Sequence, residues 1–141
     1  MKIIFKGKPI PKARPRVVKG HTYNPQSKQL ESAYWDAYAQ VREEWSKLYG
    51  NARFMFSPIG LGIHLRITFF MPVPASWSNK KKKQHYGTHH VSKPDIDNLS
   101  KFYLDALQNS LYADDKQVHT LEAEKRYIEE GEEPRTVVEV I

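Results

Sequence analysis

Apolar and polar positions alternate most cleanly over residues 61–71. Leu61, Ile63, Leu65, Ile67, Phe69 and Met71 fall on one side, and Gly62, His64, Arg66 and Thr68 on the other. A period of two predicts a strand with one face on a core, and Pro72 and Pro74 end it. Upstream the period lengthens. Leu30, Ala33, Tyr34, Ala37, Val41, Trp45 and Leu48 recur at helical steps and predict a helix over about 27–49. Its polar face carries Glu31, Asp36, Gln40, Glu43, Glu44 and Lys47. Ile96, Leu99, Tyr103, Ala106 and Leu107 predict a second helix over 95–108, closed by Asn109-Ser110. Short strands are expected over 1–5, 117–127 and 135–141, the last two joined by the acidic turn Glu130-Gly131-Glu132-Glu133-Pro134.

Two stretches lack such periodicity. Pro9, Pro11, Pro15, Pro25 and Gly20 keep residues 7–25 from being helix or central strand, which leaves a proline-stiffened basic arm. Residues 75–92 read as a short helix and a mobile basic loop. The order β, α, β, α, β, β predicts one small α/β (α+β) domain over 1–141. In it a mixed sheet of about four strands carries two main helices.

The 141 residues suffice for one core, and 40% hydrophobic with 27% charged residues is a globular balance. No apolar run approaches the roughly 20 residues of a membrane span. Ile3-Ile4-Phe5 is too short for a signal-peptide core. Cysteine is absent, which excludes disulfides and thiolate chemistry and suits a reducing compartment. The net charge of +6 points to a polyanionic partner, and its distribution sharpens the point. Lys2, Lys6, Lys8, Lys12, Arg14, Arg16 and Lys19 stand in the first 20 residues with no acid among them. Lys80, Lys81, Lys82 and Lys83 form a second block, while acid gathers at Glu129, Glu130, Glu132 and Glu133. Segregated basic patches suit phosphate contacts, for which Lys12, Arg14 and Arg16 are the first candidates. A merely solvated lysine surface is the plainer alternative.

Against this basic background Asp95, Asp97 and the pair Asp114-Asp115 stand out. Hard cations such as magnesium take oxygen ligands, and carboxylates supply both atoms and charge. Pro94 disfavours a helical Lys93, so an extended entry would turn Asp95 and Asp97 the same way. Asp97 is equally a candidate N-cap. Lys101 lies one turn beyond Asp97, and Asp105 one turn beyond that. Lys101 is either one half of an ordinary ion pair or a cation aimed at a phosphate, with Asp105 as the group that orients it. Strand geometry would let only one of Asp114 and Asp115 reach the same place. Convergence of these residues would make a metal site for phosphodiester hydrolysis.

The run Lys93-Pro94-Asp95-Ile96-Asp97-Asn98-Leu99, with Lys101, Asp105-Ala106-Leu107 and Asp114-Asp115-Lys116-Gln117-Val118, resembles the RusA family of Holliday-junction resolvases. The start Gly7-Lys8-Pro9-Ile10-Pro11-Lys12-Ala13-Arg14-Pro15-Arg16 and Lys125-Arg126-Tyr127 resemble its phage-type members. The resemblance implies a homodimeric nuclease that nicks four-way DNA junctions in paired strands. It implies magnesium as cofactor, with manganese as a substitute, and no nucleotide cofactor. Asp95, Asp97 and Asp115 are the implied metal-binding aspartates and Lys101 the implied catalytic lysine. DNA contacts would fall to Lys12, Arg14, Arg16, Lys80, Lys81 and Lys82. A bacterial, prophage-encoded cytoplasmic enzyme of recombination and repair, with no membrane partner, is the corresponding expectation. Twofold symmetry suits a substrate that needs two matched cuts, and the aromatic surface around Tyr34, Trp35, Tyr38 and Trp45 is a candidate interface.

Other residues divide between roles. His85, His89 and His90 lack the spacing of a structural zinc site and read as a polar loop. Trp77 and Tyr86 either stack on unpaired bases or anchor their loop to the core. Glu122 either faces the metal or is an exposed strand residue. Two further functions stay open: a branched-DNA-binding module without catalysis, and a nuclease preferring flaps or other branched forms.

Overall fold

The computed structural model describes residues 1–50 and 62–141. Strand β4 (Ile63–Met71) is its centre. Ile63, Leu65, Ile67, Phe69 and Met71 are buried in alternation with exposed or half-buried neighbours, as the pattern requires. Leu61, assigned to the same face, lies outside the described residues. Around β4 the sheet runs β1 (Lys2–Lys6), β6 (Arg135–Val140), β4, β5 (Val118–Tyr127). β6 is antiparallel to both β1 and β4, whereas β5 lies parallel to β4. The sheet is therefore mixed.

Helices α1 (Ser27–Tyr49) and α3 (Ile96–Leu107) pack on each other, α1 also against β1 and α3 against β5. They bury Ala37 and Val41 from α1, and Leu99, Phe102, Tyr103, Ala106 and Leu107 from α3. The α1 stripe outruns the core, since burial ends at Val41 and Leu48 is 64% exposed. Tyr112 is fully buried and donates its hydroxyl to the Leu104 carbonyl at 2.7 Å. Desolvation pushes its phenol far above the usual tyrosine range. Among the described residues no helix is long and apolar enough to cross a membrane.

The basic arm departs from expectation in two ways. Arg16–Val18 (β2) and His21–Tyr23 (β3) pair as an exposed antiparallel ribbon, outside the main sheet. Its prolines bracket the ribbon without entering it. Lys19 and Gly20, both at positive φ (50° and 79°), make the two-residue turn whose twist matches paired strands. The segment before the ribbon is docked. Ile10 N–H donates to the Tyr103 hydroxyl (3.0 Å), and Lys12 N–H to the Asn98 carbonyl (2.9 Å). Buried Gln26 accepts from Ala13 N–H and donates to the Pro11 carbonyl, each at 2.6 Å.

The lysine block forms α2 (Asn79–His85), capped by Ser78, whose hydroxyl accepts from Lys81 N–H at 3.2 Å. The chain that follows is a strap laced to the end of β5. Gly87 N–H bonds Ile128 O, Tyr127 N–H bonds Thr88 O, and His90 N–H bonds Lys125 O.

Gln40, counted on the polar face of α1, has a second use. Its amide accepts from Ile4 N–H (2.8 Å) and donates to Ile4 O (2.7 Å), closing the outer side of edge strand β1. Gln40→Ala is expected to cost about 1 kcal/mol in urea unfolding. Glu43→Ala, three residues along the same face, should stay within about 0.5 kcal/mol. Equal effects would show that the Ile4 pairing contributes nothing.

Candidate active site

Helix α3 begins at Ile96, so Asp95 is its N-cap residue, held extended at φ −67° and ψ 145°. Its carbonyl accepts the first helical bond from Leu99 N–H at 3.1 Å, and its carboxylate makes no capping bond. Asp97 lies inside the first turn rather than at the cap, and one of its oxygens accepts from Asn98 N–H at 3.0 Å. The extended run expected across Asp95 and Asp97 therefore ends at Asp95, and Asp97 already lies in helix. Both carboxylates remain exposed. The backbone ahead of them is fixed by Lys125, whose ammonium donates to the carbonyls of Ser92 and Pro94, each at 2.7 Å.

One turn into α3, Lys101 sits between two carboxylates. Its Nζ lies 3.0 Å from Asp105 Oδ1 and 2.9 Å from Asp115 Oδ2. Hydrogen bonding to Asp115, then to Asp105, raises the lysine above its ordinary range and keeps it a cation at neutral pH. Asp115 reaches Lys101 because a 3₁₀ turn, Asp115–Gln117, returns the chain ahead of β5. Asp114 caps that turn. Its carboxylate accepts from Lys116 N–H at 3.0 Å, while Gln117 Oε1 accepts from Asp114 N–H at 3.1 Å. The bond from Lys116 N–H holds the Asp114 carboxyl below its usual value. Asp114 and Asp115 thus separate through this capped 3₁₀ turn rather than by strand alternation, one capping and one at Lys101.

Asp105 uses its second oxygen on the arm, with Oδ2 2.9 Å from Lys12 Nζ. Partial burial opposes ionisation of Asp105, but Lys12 and then Lys101 outweigh it and hold the carboxyl low. Sequence reasoning gave Lys12 to DNA phosphates and missed this contact. Ninety-three residues separate the two side chains, and no local spacing joins them. It also missed Lys125 as the anchor of the segment entering α3.

Carboxylate oxygens suit a hard cation in kind. The expected gathering of three is not present: among the described residues no three acidic or histidine side chains stand together as a ligand group. Asp115 is engaged by Lys101, which leaves Asp95 and Asp97 as the open donors.

The remaining candidates take other places. Glu122 faces Arg66 Nε (2.8 Å) and His64 Nε2 (2.7 Å) across β4 and β5, and the Arg66 bond leads in lowering its carboxyl. Trp77 anchors its segment: it packs on the core, lies tilted against His85 (4.6 Å) and Tyr127 (5.7 Å), and carries the Lys81 ammonium 4.3 Å over its ring. His90 is buried against Tyr127 at 4.8 Å, and desolvation, then Lys125, push its imidazole below the usual range. Arg14, Arg16, Lys80 and Lys81 are exposed, and Lys82 is half-buried.

The family described as Endodeoxyribonuclease RusA matches residues 6–141. The chain is also 30% identical over 146 residues to the uncharacterized protein YqaN of Bacillus subtilis (strain 168), covering 98% of this chain and 93% of that protein.

A depressed Asp105 contributes stability above the ordinary aspartate range, near pH 3.9, and loses it as pH falls through the lowered value. The stability difference between wild type and Asp105→Asn should be flat above about pH 5 and shrink towards acid. A difference that is constant down the acid limb would remove the ion pairs from the account.

Proposed function

The chain belongs to the RusA family of endodeoxyribonucleases, and from that membership we propose that it nicks four-way DNA junctions by magnesium-dependent phosphodiester hydrolysis, acting as a homodimer. The observation that carries this reading is the Lys101 ammonium held between Asp105 and Asp115, beside the exposed helix turn that bears Asp95 and Asp97. A surface salt bridge of that kind would contribute little to stability on its own. Next to two further carboxylates, in a chain of net charge +6, it suits a site that takes up a phosphate.

Magnesium commonly takes one or two protein carboxylates and completes its shell with water and phosphate oxygens. Asp95 and Asp97 are the residues we assign to it first, and Asp115 would be the third. The cation's chemistry, when bound, is to activate water and to neutralise charge on the phosphate. In this reading Lys101, a cation at neutral pH, would contact the scissile phosphate or steady charge on the leaving oxygen. Exposed Arg14, Arg16, Lys80 and Lys81 supply backbone contacts that fix the DNA without reading its sequence. The ring cluster of Tyr34, Trp35 and Tyr38, with Trp35 55% exposed, is our candidate for the dimer contact.

Asp97→Asn should abolish nicking of a synthetic four-way junction in magnesium while junction binding without metal persists or tightens. Joint loss of binding and cleavage would make Asp97 a folding residue. Lys101→Ala should lower the cleavage rate by about 100-fold at saturating junction with comparable affinity, and an unchanged rate would exclude it from the chemistry. Wild type that binds junctions but yields no product at any magnesium concentration would be a binding module.

A further inference from the structure

We propose that Lys12 is a positioning residue of the active site, setting Lys101 through Asp105. This rests on the nuclease reading above. The contacts form one unbroken run: Lys12 Nζ to Asp105 Oδ2 at 2.9 Å, Asp105 Oδ1 to Lys101 Nζ at 3.0 Å, and Lys101 Nζ to Asp115 Oδ2 at 2.9 Å. Two ammonium and two carboxylate groups alternate along it, so the run is neutral.

Each link constrains the next. The terminal torsion of an aspartate is broad and nearly twofold. A carboxylate facing Lys101 alone can offer either oxygen, or both. Lys12 claims Oδ2 and leaves a single oxygen for Lys101. The Lys101 ammonium then keeps its other donors for Asp115. Without Lys12, Lys101 can chelate both oxygens of Asp105 and turn away from Asp115.

Lys12 is itself held. Its side chain is 25% exposed, against 51% for Lys101. Its backbone N–H is bonded to Asn98 O, next to Asp97. The flanking residues are fixed too, Ile10 through Tyr103 and Pro11 with Ala13 through Gln26. Reaching outward to a phosphate would cost the Asp105 pair and strand a half-buried carboxylate. Arg14 and Arg16, both exposed two and four residues on, have no such tie among the described residues.

Lys12→Met is expected to lower the cleavage rate at saturating junction by roughly 10- to 100-fold. Junction Kd should change less than about twofold, and the salt dependence of binding should be unaltered. A phosphate contact would do the reverse, weakening binding and reducing the salt slope by about 1 with the saturated rate intact. Adding Lys12→Met to Asp105→Asn should slow cleavage no further, whereas additive losses would overturn the relay. One measurement needs no catalysis. In carboxyl-carbon NMR, the Asp105 midpoint should rise towards about 3.9 in Lys12→Met, and an unmoved midpoint sinks the proposal. If wild type cuts nothing, the nuclease reading fails while the midpoint and salt slope still decide whether Lys12 serves Asp105 or DNA. Lys12→Gln gives the same readings should the methionine variant not fold.

Discussion

The parallel pairing of β4 with β5 is the constraint on which the site depends. Parallel neighbours cannot be joined by a tight turn, so the chain must leave the end of β4, cross one face of the sheet and re-enter beside the start of β4. That crossing is α3. Its entrance is fixed because Lys125, near the end of β5, holds the carbonyls of Ser92 and Pro94. Its exit is fixed because Tyr112 is buried and bonded back to Leu104. The capped turn at Asp114 then sets Asp115 beside Lys101, which lies between it and Asp105.

What the sequence made legible was whatever repeats at short range. The alternation through Met71 and the helical steps of Ala37 and Val41 translate directly into buried faces, because periodicity and burial are one fact seen twice. The start of α3 was legible only in part. A proline followed by aspartates announces a helix entrance without saying which aspartate is the cap, and that two-residue difference decides where Asp97 points. The ribbon at Arg16–Tyr23 was hidden by the prolines on either side, and its Lys19-Gly20 turn is a weaker signal than Asn-Gly.

Pairings across the chain were not legible at all. Lys12 meets Asp105, and Gln40 meets Ile4, only because the sheet order places β1 and the arm over α1 and α3. Nothing in the arm's composition distinguishes Lys12, which is tied down, from Arg14, which is exposed. The same reasoning explains the carboxylates. Residue type marks Asp95, Asp97 and Asp115 as candidate oxygen donors, but composition cannot show that a lysine has already taken one of them. Lys12 and Lys101 neutralise Asp105 and Asp115 locally, while Asp95 and Asp97 stay open.

The amide of Gln40 has a consequence beyond holding α1 to its strand. A bare outer strand offers a row of unpaired backbone groups that can template a second copy of the chain and begin an open-ended stack. With both polar groups of Ile4 already answered by a side chain from the same molecule, that edge has nothing to offer a newcomer at its midpoint. At that point of the flank the protection of the edge rests on a single residue of the helix that covers it.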